Sequence, residues 1–224
     1  MIGRFALEAP PIDDPLSRMV ETHRSKTGQS YSAVLFFGLW GTVDCSAEVR
    51  LYAGYRHLEA SPEDGPAWLE TSRVHLEAGE ADRALAIVDE LIRLGCPGLQ
   101  AGLYSEDPEI HRIHILADSG RLDDALSELE RLGDRHTDSP VFHYTLGSVL
   151  HEKGDFAGGG AAYAKALTAL EDFRAAALEE GLEDETGVDF EAAGAFLTAA
   201  ARAAERRAAF IGPRPLDLSG LREE

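Results

Sequence analysis

The sequence predicts an all-α fold, a solenoid of stacked helical hairpins with about 9–10 helices. Three observations lead there. One skeleton of glycine, small residue and apolar pair recurs three times along the chain. Within each copy the apolar residues fall at the 3.6-residue period of a helix rather than alternating as in a strand. The composition, 44% apolar and 27% charged over 224 residues, is that of a globular chain long enough for a short array with a continuous core.

The N-terminal part begins Met-Ile-Gly-Arg and soon reaches Glu8, Pro10 and Pro11, with no charged-then-apolar leader pattern. Asp13/Asp14-Pro15 is a cap followed by proline at the first helical position, and opens a short helix to about Arg24. Tyr31–Trp40 and Ser46–Ala60 then read as a degenerate helix pair ending at Ser61-Pro62. The Tyr31–Trp40 run, with Phe36, Phe37 and Trp40, is the most apolar stretch. At ten residues it is far short of the roughly 20 a membrane span needs. It either caps the array from within or, left uncovered, offers a surface to a second copy; the oligomeric state is open.

The repeats follow. The first copy runs Trp68-x3-Ser72-x6-Gly79-x4-Ala84-x3-Val88-x2-Leu91. The second runs Ile113-x2-Leu116-x3-Gly120-x4-Ala125-x3-Leu129-x2-Leu132. The third runs Leu146-Gly147-x2-Leu150-x3-Gly154-Asp155-x3-Gly159-x3-Tyr163-x2-Ala166. Gly79, Gly120 and Gly154 end the first helix of each hairpin in a left-handed conformation. Ala84, Ala125 and Gly159, five residues on, let the second helix approach the first. Gly158-Gly159-Gly160 weakens the start of that helix by about 1 kcal/mol each against alanine, which marks a hinge or a place where another backbone comes close. Between the first two copies, Leu94–Pro108 carries Gly95, Pro97, Gly98 and Gly102 and reads as a lengthened loop.

Beyond the third copy, its second helix runs on through Glu179 to Gly181, and the acidic run Glu179–Glu185 reads as a solvated linker. A last helix from Asp189 to Phe210 closes the array, exposing Arg202, Glu205, Arg206 and Arg207 as a solubilising cap. From Gly212 an extended tail is expected. The organisation is thus an N-terminal segment 1–64, three repeats over 65–180, a capping helix within 181–211 and a tail 212–224.

The phrase from Tyr144 to Leu170, with Leu146-Gly147 and Tyr163-Ala164-Lys165-Ala166-Leu167, resembles the tetratricopeptide repeat most closely. The resemblance covers roughly 65–171, and Gly120 to Gly154 matches the family period. It departs at Glu109, where an aromatic is usual, and at Ile113, where a small residue is usual. It implies a right-handed superhelix whose first helices line a concave groove that takes a peptide or helix from a partner protein. Carried across, the groove positions are Pro66, Leu69, Arg73, Leu76 and Glu77, then Asp107, Ile110, His114, Ala117 and Asp118, then Val141, Tyr144, Ser148, His151 and Glu152. The last position is acidic in each copy, so Glu77, Asp118 and Glu152 form a row that favours a basic ligand. Leu69, Leu76, Ile110, Val141 and Tyr144 make an apolar strip. Arg73 is the groove's one base, which does not fit the subtype that clamps C-terminal carboxylates.

Charge narrows the partner. Forty acids against 21 bases give a formal charge of −19, which repels phosphate backbones and anionic lipid. A basic or neutral protein or peptide is expected, and neither nucleic acid nor membrane. Two cysteines, Cys45 and Cys96, suit a reducing, cytoplasmic setting, and the Ala, Leu, Gly, Glu and Arg bias suits a bacterial genome.

Histidine, with eight copies, is the residue type in which chemistry would reside. His111 and His114 share a side of one helix. With His151 on the next repeat and Asp118 or Glu152 nearby, they make a conceivable metal or general-base set. That is the alternative function, a metal-binding or catalytic accessory protein. The spacing matches no recognised metal motif, and there is no phosphate loop, nucleophile elbow or Cys-x2-Cys. No cofactor and no catalytic residue are assigned. His75 and His143 read as hydrogen-bonded core histidines.

Overall fold

The computed structural model describes residues 14–28, 30–37, 39–40, 43–44, 46–95, 100–101, 104–105, 107–182, 186 and 188–211. Asp13, Cys45, Cys96, the acids at 183–185, the tail from Gly212, and the side chains of Phe36, Phe37 and Trp40 lie outside the described residues. The fold is all-α. Among the described residues the helices are α1 Asp14–Thr27, α2 Tyr31–Phe37, α3 Ala47–Ala60, α4 Gly65–Glu77, α5 Ala81–Leu94, α6 Pro108–Asp118, α7 Leu122–Leu132, α8 Pro140–Glu152, α9 Phe156–Glu180 and α10 Phe190–Ile211. No helix among them is long and apolar enough to cross a membrane.

Two departures from expectation are short antiparallel ladders. Leu39–Trp40 pairs with Val43–Asp44, so α2 stops at Phe37 instead of running to Trp40. Gln100–Ala101 pairs with Tyr104–Ser105 inside the long α5–α6 connection. Both ladders flank a two-residue connection that begins with glycine, Gly41-Thr42 and Gly102-Leu103. That is a recognised hairpin signature.

The chain forms two compact units, Met1–Arg121 and Leu122–Glu224. In unit 1, α4 packs on α5, α3 and α2, and α6 packs on α5 and α4. Side chains cap two of these helices: Asp64 Oδ1 accepts from Ala67 N at 3.0 Å, and Asp107 from Glu109 N at 2.7 Å. Gly79 and Gly120 follow α4 and α6 with φ of +79°. The core holds Trp68, Val74, Ala84, Val88, Leu91 and Ile113 at zero exposure, and Trp68 Nε1 donates to the Pro62 carbonyl at 2.9 Å. A smaller cluster of Val20, Val34, Val49, Tyr52 and Ala53 joins α1 to α2 and α3. Glu21 accepts from the hydroxyls of Tyr31 and Tyr52 at 2.5 and 3.1 Å. Burial and that bond push the Tyr31 hydroxyl up to about 12.

His75 is the buried, hydrogen-bonded histidine its position implies. It is wholly unexposed; Nδ1–H donates to Glu80 at 2.7 Å, and Nε2 accepts from the Tyr55 hydroxyl at 2.8 Å. Burial lowers its pKa, so the neutral ring ties α3, α4 and the start of α5 together. His143 differs. It is half-buried, donating from Nε2 to the Thr137 carbonyl at 2.7 Å, because it lies on the α8 side that faces the preceding loop.

In unit 2, α9 is 25 residues long against 13 for α8, and packs on both α8 and α10. The glycine run at its start is explained by close approach. A Cβ on Gly159 would stand 3.0 Å from the Gly147 carbonyl oxygen of α8, and one on Gly147 would meet the Tyr163 ring at 2.6 Å. A Cβ on Gly160 would meet Ala204 of α10 at an ordinary 3.6 Å. Opposite results are therefore expected from neighbouring substitutions. Gly159→Ala should destabilise by about 1–3 kcal/mol through overpacking, whereas Gly160→Ala should stabilise by up to about 1 kcal/mol through helix propensity. Denaturant midpoints of the two variants, read by far-ultraviolet circular dichroism, check both.

Candidate functional site

In unit 1 the α4–α6 surface carries the candidate groove residues. Leu69 and Ile110, at 1% exposed, are sealed in the core and out of a partner's reach. They face the neighbouring helices because the apolar stripe of each helix is wide enough to serve the core on both flanks. Leu76 is half-buried, Arg73 and Glu77 each keep about half their side-chain surface (49%), and Asp118 is exposed. His111 and His114 are half-buried between them.

An ion network that sequence reading missed organises this surface. Arg50 of α3 donates to Glu70 at 2.5 Å, to Glu77 at 2.8 Å and to the Leu35 carbonyl at 3.3 Å. Glu70, only 6% exposed, also accepts Arg73 at 2.8 Å. Glu77, first of the predicted acidic row, is therefore already engaged within the chain. Arg73 is held in a fixed orientation by a buried carboxylate, with half of its surface still open.

The histidines are electrostatically quiet. Burial first, then His114 and Arg73, push the His111 pKa down to about 3; burial lowers that of His114 too, against the pull of Asp118. Ser72 sends its proton to the Leu69 carbonyl at 2.7 Å and accepts from His111 Nε2–H at 2.7 Å. The proton therefore points away from the ring, and Ser72 is wholly unexposed. So weak a base beside so inaccessible a hydroxyl is not a nucleophile pair.

In unit 2 the candidate residues on α8 are largely taken up by its own helices. Val141 is 5% exposed. Tyr144 packs against Tyr163 and Phe196 with ring centroids 6.0 and 5.7 Å away. The Tyr163 hydroxyl donates to Ser148 at 3.3 Å, and Arg207 donates to His151 at 2.7 Å. Glu152 is exposed. On another side of this unit a cleft of about 870 Å³ opens between Thr137–Asp138 and Lys165, Thr168 and Asp172 of α9.

The metal alternative finds no support in the described residues. Among the described residues no group of three or more His, Cys, Asp or Glu could hold a metal ion.

Comparison with protein-family models and with curated proteins finds no match. Among solved structures the chain is similar to a MamA RS-1 ArsTM double mutant, at 16% identity and a TM-score of 0.46, over 84% of this chain and 94% of that one. It is similar also to a crystal structure of MamA protein, at 15% identity and a TM-score of 0.43, over 88% and 97%.

Proposed function

We propose that the chain is a non-enzymatic interaction scaffold that holds a basic or neutral protein segment on the α4–α6 surface of unit 1. The supporting observation is preorganisation. Arg73 is fixed by Glu70, His111 and His114 are kept neutral, and exposed Asp118 and half-buried Leu76 stand beside them. Side chains already held in place lose little freedom on binding, which favours affinity without large buried area. Asp118 supplies the charge that a basic segment would meet, and the net charge of −19 steers such a segment in.

Because Glu77 serves the fold, Asp118 is the cleaner position to test. Asp118→Lys should weaken capture of a partner from native-host extract by about tenfold or more, the usual scale for truncating or reversing an interface contact. Asp172→Lys, on α9, should leave capture unchanged. Equal capture by both variants would remove the α4–α6 surface from consideration.

A further inference from the structure

The last described helix, α10, is apolar on two opposite faces. One packs on α9 and carries Phe190, Leu197 and Ala204, all buried. The other, with Ala192, Ala195, Phe196, Ala199 and Ala203, is exposed. Phe196 keeps 57% of its surface, the largest share of any bulky apolar side chain among the described residues. Its ring centroid lies 5.7 Å from that of Tyr144, so its position is set from within the unit. The outer face of a terminal helix has to be polar to cap a repeat array, and this one is polar only at its flanks.

Charge identifies the occupant. Asp189, which caps the helix through Ala192 N, and Glu191 and Glu205 balance Arg202, Arg206 and Arg207. In a chain of −19 this segment is therefore locally neutral and does not repel another copy of itself. The signs are also ordered. At 3.6 residues per turn, with Ala199 at the middle of the exposed face, Glu191, Arg202 and Arg206 lie along one flank and Phe196 and Ala203 along the other. A two-fold axis through Ala199, perpendicular to the helix, reverses each flank against itself. Glu191 of each copy then meets Arg206 of the other, and Phe196 of each covers Ala203 of the other. A parallel alignment would set Arg206 against Arg206.

We propose that a second copy of this chain docks on the exposed face of α10, helix against helix and antiparallel, about a two-fold axis at Ala199. Alanines let the two axes approach to about 8 Å, the short end of the helix-packing range. The interface is isologous and closes at two copies. It belongs to unit 2 and is independent of the α4–α6 surface.

Sedimentation velocity of the full chain between about 1 µM and about 100 µM should show the 24.2 kDa species giving way to one of twice that mass. Phe196→Glu should weaken self-association by about tenfold or more, with helical content by circular dichroism unchanged. Glu191→Arg and Arg206→Glu each set like charges in contact and should weaken it too, whereas the two changes in one chain should restore it. Ala199→Cys, in a chain carrying Cys45→Ser and Cys96→Ser, should form a disulfide-linked dimer on mild oxidation. Ala175→Cys, exposed on α9, should not. A wild type that stays at 24.2 kDa throughout, its α10 face left to another protein or covered by the chain itself, would overturn the proposal. So would a dimer indifferent to Phe196→Glu and to both charge changes.

Discussion

Replacing Arg50 by alanine is expected to lower the stability of unit 1 by about 3–5 kcal/mol, the cost of stranding a buried charge. Glu70 is 6% exposed and would lose the closer of its two arginines, keeping only Arg73, whose guanidinium is half in solvent. The Leu35 carbonyl would lose a donor and Glu77 its partner in the same step. Arg73→Ala should cost only about 1 kcal/mol or less, because a half-exposed pair is screened. Removing both charges together, as Arg50→Met with Glu70→Leu, should recover most of the loss, since no buried ion is then left uncompensated. Denaturant unfolding followed by tryptophan fluorescence reads unit 1 directly, as both tryptophans, Trp40 and Trp68, lie within it. A loss below about 1 kcal/mol for Arg50→Ala would mean that solvent screens the network.

Acidification from pH 7 to pH 5 is expected to cost the same unit about 2 kcal/mol through His111, at about 1.4 kcal/mol per pH unit below 6.5. The folded state holds this imidazole down to about 3 against an ordinary 6.5. Between those values the unfolded chain binds a proton that the folded chain refuses, so acid favours unfolding. The stability is fully present above about pH 6.5 and is lost progressively as the pH falls towards about 3. His114 acts in the same direction. The carboxylates held low by their partners, Glu80 and Glu90 among them, give way only below the ordinary 4.5, so the window between pH 6.5 and 5 isolates the histidines. Midpoints for His111→Gln and wild type at both pH values are the measurement. An undiminished acid loss in the variant would mean that His111 is not the group responsible.

Much of the fold was legible because its signals are local. A glycine that must sit at positive φ after each first helix, and a small residue five positions on, are short-range requirements. Gly79, Gly120, Gly154, Ala84 and Gly159 meet them in place. The starts of α4, α6 and α8 carry local signals of the same kind, a side-chain cap at Asp64, Asp107 and Ser139 followed by proline. The candidate surface was less legible. Arg50 reaches a carboxylate 20 positions away on another helix, and no spacing rule within one helix reports such a pair. The neutral state of His111 depends on burial contributed by another helix, which composition does not carry. Leu69 and Ile110 looked like groove residues because one apolar residue reads the same whether it meets a ligand or a neighbouring helix. The two ladders had a signal, glycine opening a two-residue connection, which was subordinate to helical periodicity on one side and to loop composition on the other.

Within each unit, helices pack on their nearest or next-nearest neighbours along the chain: α2 on α3 and α4, α4 on α5 and α6, α8 on α9, and α9 on α10. Contacts of such short sequence separation need little loop closure before they form, so folding rates in the microsecond-to-millisecond class of helical bundles are expected. The order of synthesis then matters. Unit 1 has all of its internal partners once Arg121 has cleared the ribosome, and can be complete before α8 to α10 emerge. The glycine start of α9 has the opposite character. Its closest neighbours, Gly147 behind it and Ala204 ahead, are made on either side of it in time, so α9 settles fully only when α10 arrives.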